Sequence, residues 1–241
     1  VDGGSLSAGS LTVGSSGLTT VAVTSGGITG SPVIDVAAGG SLSLPGATRT
    51  VVTATSLAVD DTASLLDLGS SAIQFAAGGI DAAALRADIL AGRGAGGWNG
   101  TTGITSSAAA ATSGRAVGYV INGDGSGQVG YAAVGDADLS GAVNVFDLVS
   151  INSSGKYGSG TAAIWSQGDF NYDGVTNVFD LVGINTAGEY GRGNYFPAAS
   201  VSASGIGAVS AVPEPTSLGL GILSAAAILA MFRRRSQGGC L

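Results

Sequence analysis

Two stretches of the chain place the same oxygen-bearing residues at the same spacing. Gly135-Asp136-Ala137-Asp138-Leu139-Ser140-Gly141-Ala142-Val143-Asn144-Val145-Phe146-Asp147 is followed, at a constant offset of 33, by Gly168-Asp169-Phe170-Asn171-Tyr172-Asp173-Gly174-Val175-Thr176-Asn177-Val178-Phe179-Asp180. Calcium is a hard cation that takes about six to eight oxygens, and a 12-residue loop presents them from positions 1, 3, 5, 7, 9 and 12 with glycine at position 6. In the first loop Asp136, Asp138 and Ser140 offer side-chain oxygens, Ala142 its carbonyl, Asn144 a direct or water-mediated contact, and Asp147 the closing carboxylate. In the second the same roles fall to Asp169, Asn171, Asp173, Val175, Asn177 and Asp180. Gly141 and Gly174 stand at the sharp turn, where a positive φ would penalise any side chain. Carboxylates crowded this closely repel one another unless a cation neutralises them, so two calcium ions are expected. Ser140, where the second loop has Asp173, is expected to make the first site the weaker one.

The loops need elements to hold them. From Gly135 to Gly158 against Gly168 to Gly191, 14 of 24 positions are identical, the mark of an internal duplication. Gln128-Val129-Gly130-Tyr131-Ala132-Ala133-Val134 reads as a strand leading into the first loop, where an ordinary EF-hand has a helix, and Asp closes both loops where an EF-hand has a bidentate Glu. A loop followed by a helix, twice, at this offset and with Asp at position 12, resembles the dockerin type I repeat. The resemblance covers roughly a quarter of the chain. It implies two bound calcium ions and two antiparallel helices, Val145 to about Ser153 and Val178 to about Thr186, packed on each other. In the family that surface docks onto a cohesin and is read at loop positions 10 and 11, where small hydroxylated residues are common; here they are Val145-Phe146 and Val178-Phe179. Phe146 and Phe179 either fill the core of the module or form an exposed patch for another partner, and the core is the expected place.

Composition excludes much else. His is absent, and the single Cys, Cys240, is next to last, which removes Ser-His-Asp triads, Cys-His pairs, His-ligated zinc and disulfide frameworks. With a formal net charge of −7 the chain lacks the basic footprint of a nucleic-acid binder. Asp60-Asp61, Asp67, Asp81, Asp88 and Asp124 fall at turns, a strand and caps, and nothing pairs two of them as a glycosidase requires. The chain is therefore expected not to be an enzyme.

Ahead of the loops, residues 1–78 alternate short apolar triplets with Gly-Ser corners: Leu11-Thr12-Val13, Val21-Ala22-Val23, Val33-Ile34-Asp35-Val36, Leu42-Ser43-Leu44, Leu57-Ala58-Val59, Leu66-Asp67-Leu68 and Ile73-Gln74-Phe75. Each reads as a strand of period two. Their even spacing suits a parallel β-helix or a β-sandwich, and the scarcity of aromatics (6%) favours the β-helix. The segment resembles the autotransporter-like β-solenoid repeats of bacterial surface proteins. Residues 79–122 are expected to form a small helical cap and linker. Asp81 N-caps a helix with Leu85 and Ile89 on one face and Gly92 at its end, and a further turn runs from Ser106-Ser107 to Ala111. Trp98 either stacks on a sugar from an exposed loop or belongs to a cap that closes the β-helix. Trp98-Asn99-Gly100 and the stretch from Gly103 to Val120 resemble sequence found ahead of dockerin-like repeats in planctomycete-type surface proteins.

Residues 123–197 complete the dockerin-like module, 198–212 form a Ser/Ala/Gly linker, and 213–241 change character. Val212-Pro213-Glu214-Pro215 precedes an apolar run, Thr216 to Phe232, and Arg233-Arg234-Arg235 follow at once. The run is near the short limit for a membrane helix, and the Arg cluster would hold its end in the cytoplasm. That order resembles a PEP-CTERM sorting signal, which implies recognition by an exosortase-type processing enzyme. Val1 is not an initiator and the sole Met is Met231, so upstream sequence is expected to have been lost or removed. The expected fold class is thus mainly β: an N-terminal β-solenoid with a short helical cap, a small α calcium-binding module and one C-terminal apolar helix. The expected role is that of an exported, non-catalytic protein of the cell surface or extracellular matrix. Its calcium-dependent module would dock a cohesin-like partner or assemble with extracellular polysaccharide, and residues 216–232 would anchor it to the membrane transiently or permanently. The alternative is the docking and anchoring part of a secreted polysaccharide-degrading enzyme.

Overall fold

Inward-pointing aliphatic residues on very short strands decide the architecture. The computed structural model describes residues 5–196, apart from 15–19, 24–26, 31, 45 and 61. Ten strands open the chain: β1 (Ser5–Ser7), β2 (Ser10–Val13), β3 (Thr20–Ala22), β4 (Gly27–Thr29), β5 (Val33–Val36), β6 (Ser41–Ser43), β7 (Val51–Ala54), β8 (Ser56–Val59), β9 (Leu65–Asp67) and β10 (Ala72–Phe75). Parallel pairing joins strands three places apart: β1 with β4, β2 with β5 and β5 with β8, β3 with β6 and β6 with β9, β7 with β10. The pairing is in register, so identical faces stack. Leu11, Ile34 and Leu57 form one inward ladder and Val21, Leu42 and Leu66 another, while Thr12, Asp35 and Ala58 sit between them on the outward positions. Ile34, Leu42 and Leu66 are completely buried, although none of these strands exceeds four residues. A strand that short is held by its neighbours above and below rather than by its own length.

Helix α1 (Ala82–Arg93) follows, then β11 (Gly103–Thr105), which pairs in parallel with β9 and adds Ile104 to the second ladder. Asp81 caps α1 as expected, its Oδ1 accepting from the backbone N–H groups of Ala83 and Ala84 at 3.0 and 2.9 Å. The helix does not stop at Gly92. It runs to Arg93 with Gly94 as its cap, and Gly92 is where the helix backbone crosses the carbonyl of Ile104 too closely for any side chain. Helix α2 (Ser107–Ala110) forms the expected further turn under a Ser106 cap.

A long antiparallel hairpin, β12 (Arg115–Ile121) and β13 (Gly127–Ala133), then joins the parallel strands. Its second strand pairs antiparallel with β10, giving the sheet order β12-β13-β10-β7. The turn of this hairpin falls at residue 122, where the cap was expected to give way to the calcium-binding module. The two are therefore continuous through one sheet. Helices α3 (Val145–Ser153) and α4 (Val178–Ala187) follow the two loops, with a 3-10 turn at Trp165–Gln167 between them. Among the described residues strands in parallel sheets dominate, and no helix is long and apolar enough to cross a membrane. The linker 198–212 and the tail 213–241, with its expected apolar helix, lie outside the described residues.

Candidate metal centre

The duplication closes on itself. Ile184 of α4 packs on Gly135 at the head of the first loop, and Ile151 of α3 packs on Gly168 at the head of the second. The segments beyond the helices repeat the exchange: Gly158 N–H donates to the Thr176 carbonyl and Gly191 N–H to the Val143 carbonyl, both at 2.9 Å. Each helix thus completes the other's loop. Gly141 and Gly174 have φ of +95° and +94°, the left-handed turn that their position demands.

In the first loop the oxygens of Asp136, Asp138 and Asp147 lie within 4.8 Å of one another, the one such acidic group among the described residues. Asp136 and Asp147 are buried and Asp138 is exposed. Asp147 staples the loop: Oδ1 accepts from Ala137 N–H and Oδ2 from Asn144 N–H, each at 2.8 Å. Asp136 Oδ1 accepts from Ser140 N–H at 3.0 Å, and Oδ2 from Gly141 N–H at 2.8 Å and from the Tyr195 hydroxyl at 2.6 Å. The Ala142 carbonyl accepts from Asn144 Nδ2 at 3.3 Å and from the Ser140 hydroxyl at 3.4 Å. Asn144 Oδ1 faces the helix and accepts from Phe146 N–H at 2.8 Å, so this residue caps α3.

The second loop repeats the staple with Asp180, whose Oδ1 accepts from Phe170 N–H at 2.9 Å and whose Oδ2 accepts from Asn177 N–H at 2.9 Å. Asn177 caps α4 as Asn144 caps α3. Asp173 Oδ1 accepts from Val175 N–H at 3.0 Å, and Asn171 Nδ2 donates to Asp173 Oδ2 at 3.0 Å. Asp169 Oδ2 accepts from Gly174 N–H at 3.1 Å and from Arg86 of α1 at 3.4 Å. Asp169 Oδ1 is buried and has no partner. An unpartnered carboxylate oxygen in a protein interior calls for a cation or a proton.

Electrostatics point the same way. Burial pushes the Asp136 carboxyl up to about 7, against the hydrogen bonds from Tyr195 and Gly141 that favour its ionised form. Burial likewise lifts Asp169 to about 6 in spite of Arg86, and raises Asp147. These carboxylates sit where their charge is costly, and a divalent ion among them would remove that cost. The donors are all oxygen, with no soft ligand, and so suit a hard cation.

Two sequence expectations change, and one pair of alternatives is narrowed. Phe146 and Phe179 are not in the core: they are 70% and 69% exposed, with Val145, Val149, Val178 and Val182 exposed beside them. Each helix buries one main apolar residue, Ile151 or Ile184, and leaves its other face exposed among the described residues. Trp98 does not offer its ring to a sugar. It is buried and edge-on to Tyr172 at 5.8 Å, which fits the favoured alternative of a packing role. The ordering drawn from Ser140 also loses its basis, because Asn171 stands where the first loop has Asp138 and each loop therefore carries three carboxylates. Among the described residues only the second has a carboxylate in a direct ion pair, Asp169 with Arg86.

Residues that the repeat pattern could not show complete the site. Leu139 and Tyr172, both at position 4, adopt left-handed backbone with φ of 58° and 64°. That conformation is uncommon for such side chains and is held by their burial. The Tyr172 hydroxyl donates to the Val117 carbonyl of β12, and its ring packs near Tyr119 and Trp165. Trp165 is fully buried and donates Nε1–H to the Asp136 carbonyl at 2.7 Å. Around the first loop Tyr195 N–H donates to the Gly141 carbonyl at 2.9 Å, and Phe196 lies against Gly141 beneath the Arg49 guanidinium, which is 3.5 Å from the ring centre. No family model, curated protein or solved structure matches the chain.

Proposed function

We propose that the chain is a non-catalytic part of an exported surface protein, in which a dockerin-like module with two bound calcium ions presents a docking face at the end of a β-solenoid. The observation that carries this reading is the pair of reciprocally closed loops, one with a clustered acidic triad and the other with a buried, unpartnered carboxylate oxygen. Calcium would be held by Asp136, Asp138, Asp147 and the oxygens around them in the first loop, and by Asp169, Asp173, Asp180 and Asn171 in the second. Bound there, it neutralises carboxylates and fixes the loops from which α3 and α4 start. The exposed rows Val145, Phe146, Val149 and Val178, Phe179, Val182 support a protein-docking role, since apolar residues grouped on a surface mark contact sites. The threefold recurrence of parallel strand pairing supports a solenoid that acts as a spacer. The tail is read as an exosortase-type sorting signal.

Calcium that binds only the folded state stabilises it by mass action, by about 2.7 kcal/mol at a hundredfold excess over the dissociation constant. Melting of chelator-stripped protein should therefore rise by several degrees on addition of calcium, and calorimetry should count two ions per chain. A melting temperature indifferent to calcium removes the reading.

A further inference from the structure

The two position-1 aspartates are gripped from outside the duplication by unlike groups. Asp136 Oδ2 accepts from a neutral hydroxyl, that of Tyr195, at 2.6 Å. Asp169 Oδ2 accepts from a cation, Arg86, at 3.4 Å. Both grips fall on the oxygen that also accepts from the backbone N–H of the position-6 glycine. In the second loop this leaves Asp169 Oδ1 bare and buried, the atom free to ligate a metal. Arg86 is anchored as well as charged: it donates to the Tyr172 carbonyl at 3.2 Å, and its helix packs on β11 and β12. Asp169 is 1% exposed at its side chain and Arg86 28%, so the pair is only partly screened by water.

We infer that Arg86 splits the two metal sites into unequal ones. The cap helix carries a fixed positive charge into the second loop, lowers its calcium affinity, and makes it the site that fills last and empties first. This rests on the calcium reading of both loops. The loops carry equal numbers of carboxylates, so their own residues supply no difference in formal charge. An ion held by Asp169 Oδ1 would stand close to the guanidinium paired to the same carboxylate, and two positive charges against one at such range cost about tenfold or more in affinity. At the first loop Tyr195 is neutral and holds Asp136 in position, as a partner of a metal ligand does, while the nearby Arg49 guanidinium lies over the Phe196 ring and makes no ion pair with Asp136. Arg86 and Tyr195 are thus positioning residues of opposite effect: one grip hinders the ion, the other favours it.

The test is a calcium titration by calorimetry on the full chain, stripped with chelator and held at fixed ionic strength. The parent protein should show two sites of different affinity. Arg86→Gln, which keeps a donor but loses the charge, should tighten the weaker site about tenfold or more and leave the tighter one unchanged. Arg86→Lys, which keeps the charge, should stay within about twofold of the parent at both sites. Tyr195→Phe should weaken the tighter site alone. A weaker site that does not tighten in Arg86→Gln, or Gln and Lys variants that behave alike, overturns the inference while leaving calcium binding intact. A parent protein that binds no calcium overturns the calcium reading, and this inference with it. Arg86 is partly exposed, and Arg86→Met, which keeps a long stem without the charge, should tighten the weaker site in the same way and keeps the comparison decisive if the Gln variant folds poorly.

Discussion

Gly118, in the middle of β12, sits under the indole of Trp165 with no room to spare. A Cβ built there would lie 2.6 Å from Trp165 Nε1 and 2.7 Å from both Trp165 Cε2 and Leu139 Cδ2. Its backbone is ordinary strand, so Gly118→Ala adds a purely steric load. The load is hard to shed. Trp165 is fully buried, edge-on to Phe170 at 4.8 Å, and tied to the Asp136 carbonyl by its Nε1–H, while Leu139 is held in the left-handed region of the first loop. Overpacking of this kind costs about 1–3 kcal/mol, and lengthening the indole hydrogen bond adds about 1 kcal/mol. For a unit of this size each kcal/mol lowers the melting temperature by about 2–4 °C, so a fall of roughly 5–15 °C is expected. Near-UV circular dichroism in saturating calcium follows the transition through the aromatic cluster itself. Gly123→Ala in the β12–β13 turn is the control, because a Cβ there meets no atom within 4 Å, and it should melt within about 1 °C of the parent. If Gly118→Ala melts with the control, Trp165 does not clamp the loops to the sheet, and the account of how the first loop is held is refuted.

Two further outcomes are expected. Phe146→Ser combined with Phe179→Ser should shift stability by no more than about 0.5 kcal/mol per site, because both rings already face solvent. The same pair should abolish capture of whatever protein docks on α3 and α4, and a large loss of stability in denaturant unfolding would show that the rings are covered after all. In a host with an exosortase-type enzyme, mass spectrometry of surface-extracted protein should find chains that end near Pro213-Glu214-Pro215. Recovery of Arg233 to Leu241 on the mature chain would leave only a simple membrane anchor.

What the residues disclosed in advance depended on whether the signal was local. The strands around Leu11, Ile34 and Leu57 announce themselves because one face is buried and the other is not. β1 and β4 carry a single apolar residue each, Leu6 and Ile28, too little for any period to appear. β12 hid for the opposite reason: most of Arg115–Ile121 is buried on both faces, so it does not alternate. The acidic triad Asp136, Asp138 and Asp147 was legible because the loop's chemistry is set by spacing within twelve residues. Arg86 lies 83 residues from Asp169, and Tyr195 lies 59 from Asp136. No spacing rule reaches that far; only the folded sheet brings them together. The misplacement of Phe146 and Phe179 came from reading apolarity all round a helix as burial all round, whereas a nine- or ten-residue helix lying on one neighbour has one covered side.

The exchange of Ile151 and Ile184 between the loop heads has a consequence for ancestry. Residue i of one repeat touches residue j of the other, and j of the first touches i of the second, which is the contact that two identical chains make about a twofold axis. A lone repeat would have its Gly head uncovered and its Ile unburied, and could satisfy both only against another copy of itself. Joining two copies end to end turns that encounter into a first-order event, independent of concentration. It also frees the halves to diverge, as Asp138 against Asn171 and Ser140 against Asp173 already have. The fused pair is a homodimer that has lost its obligation to remain symmetric.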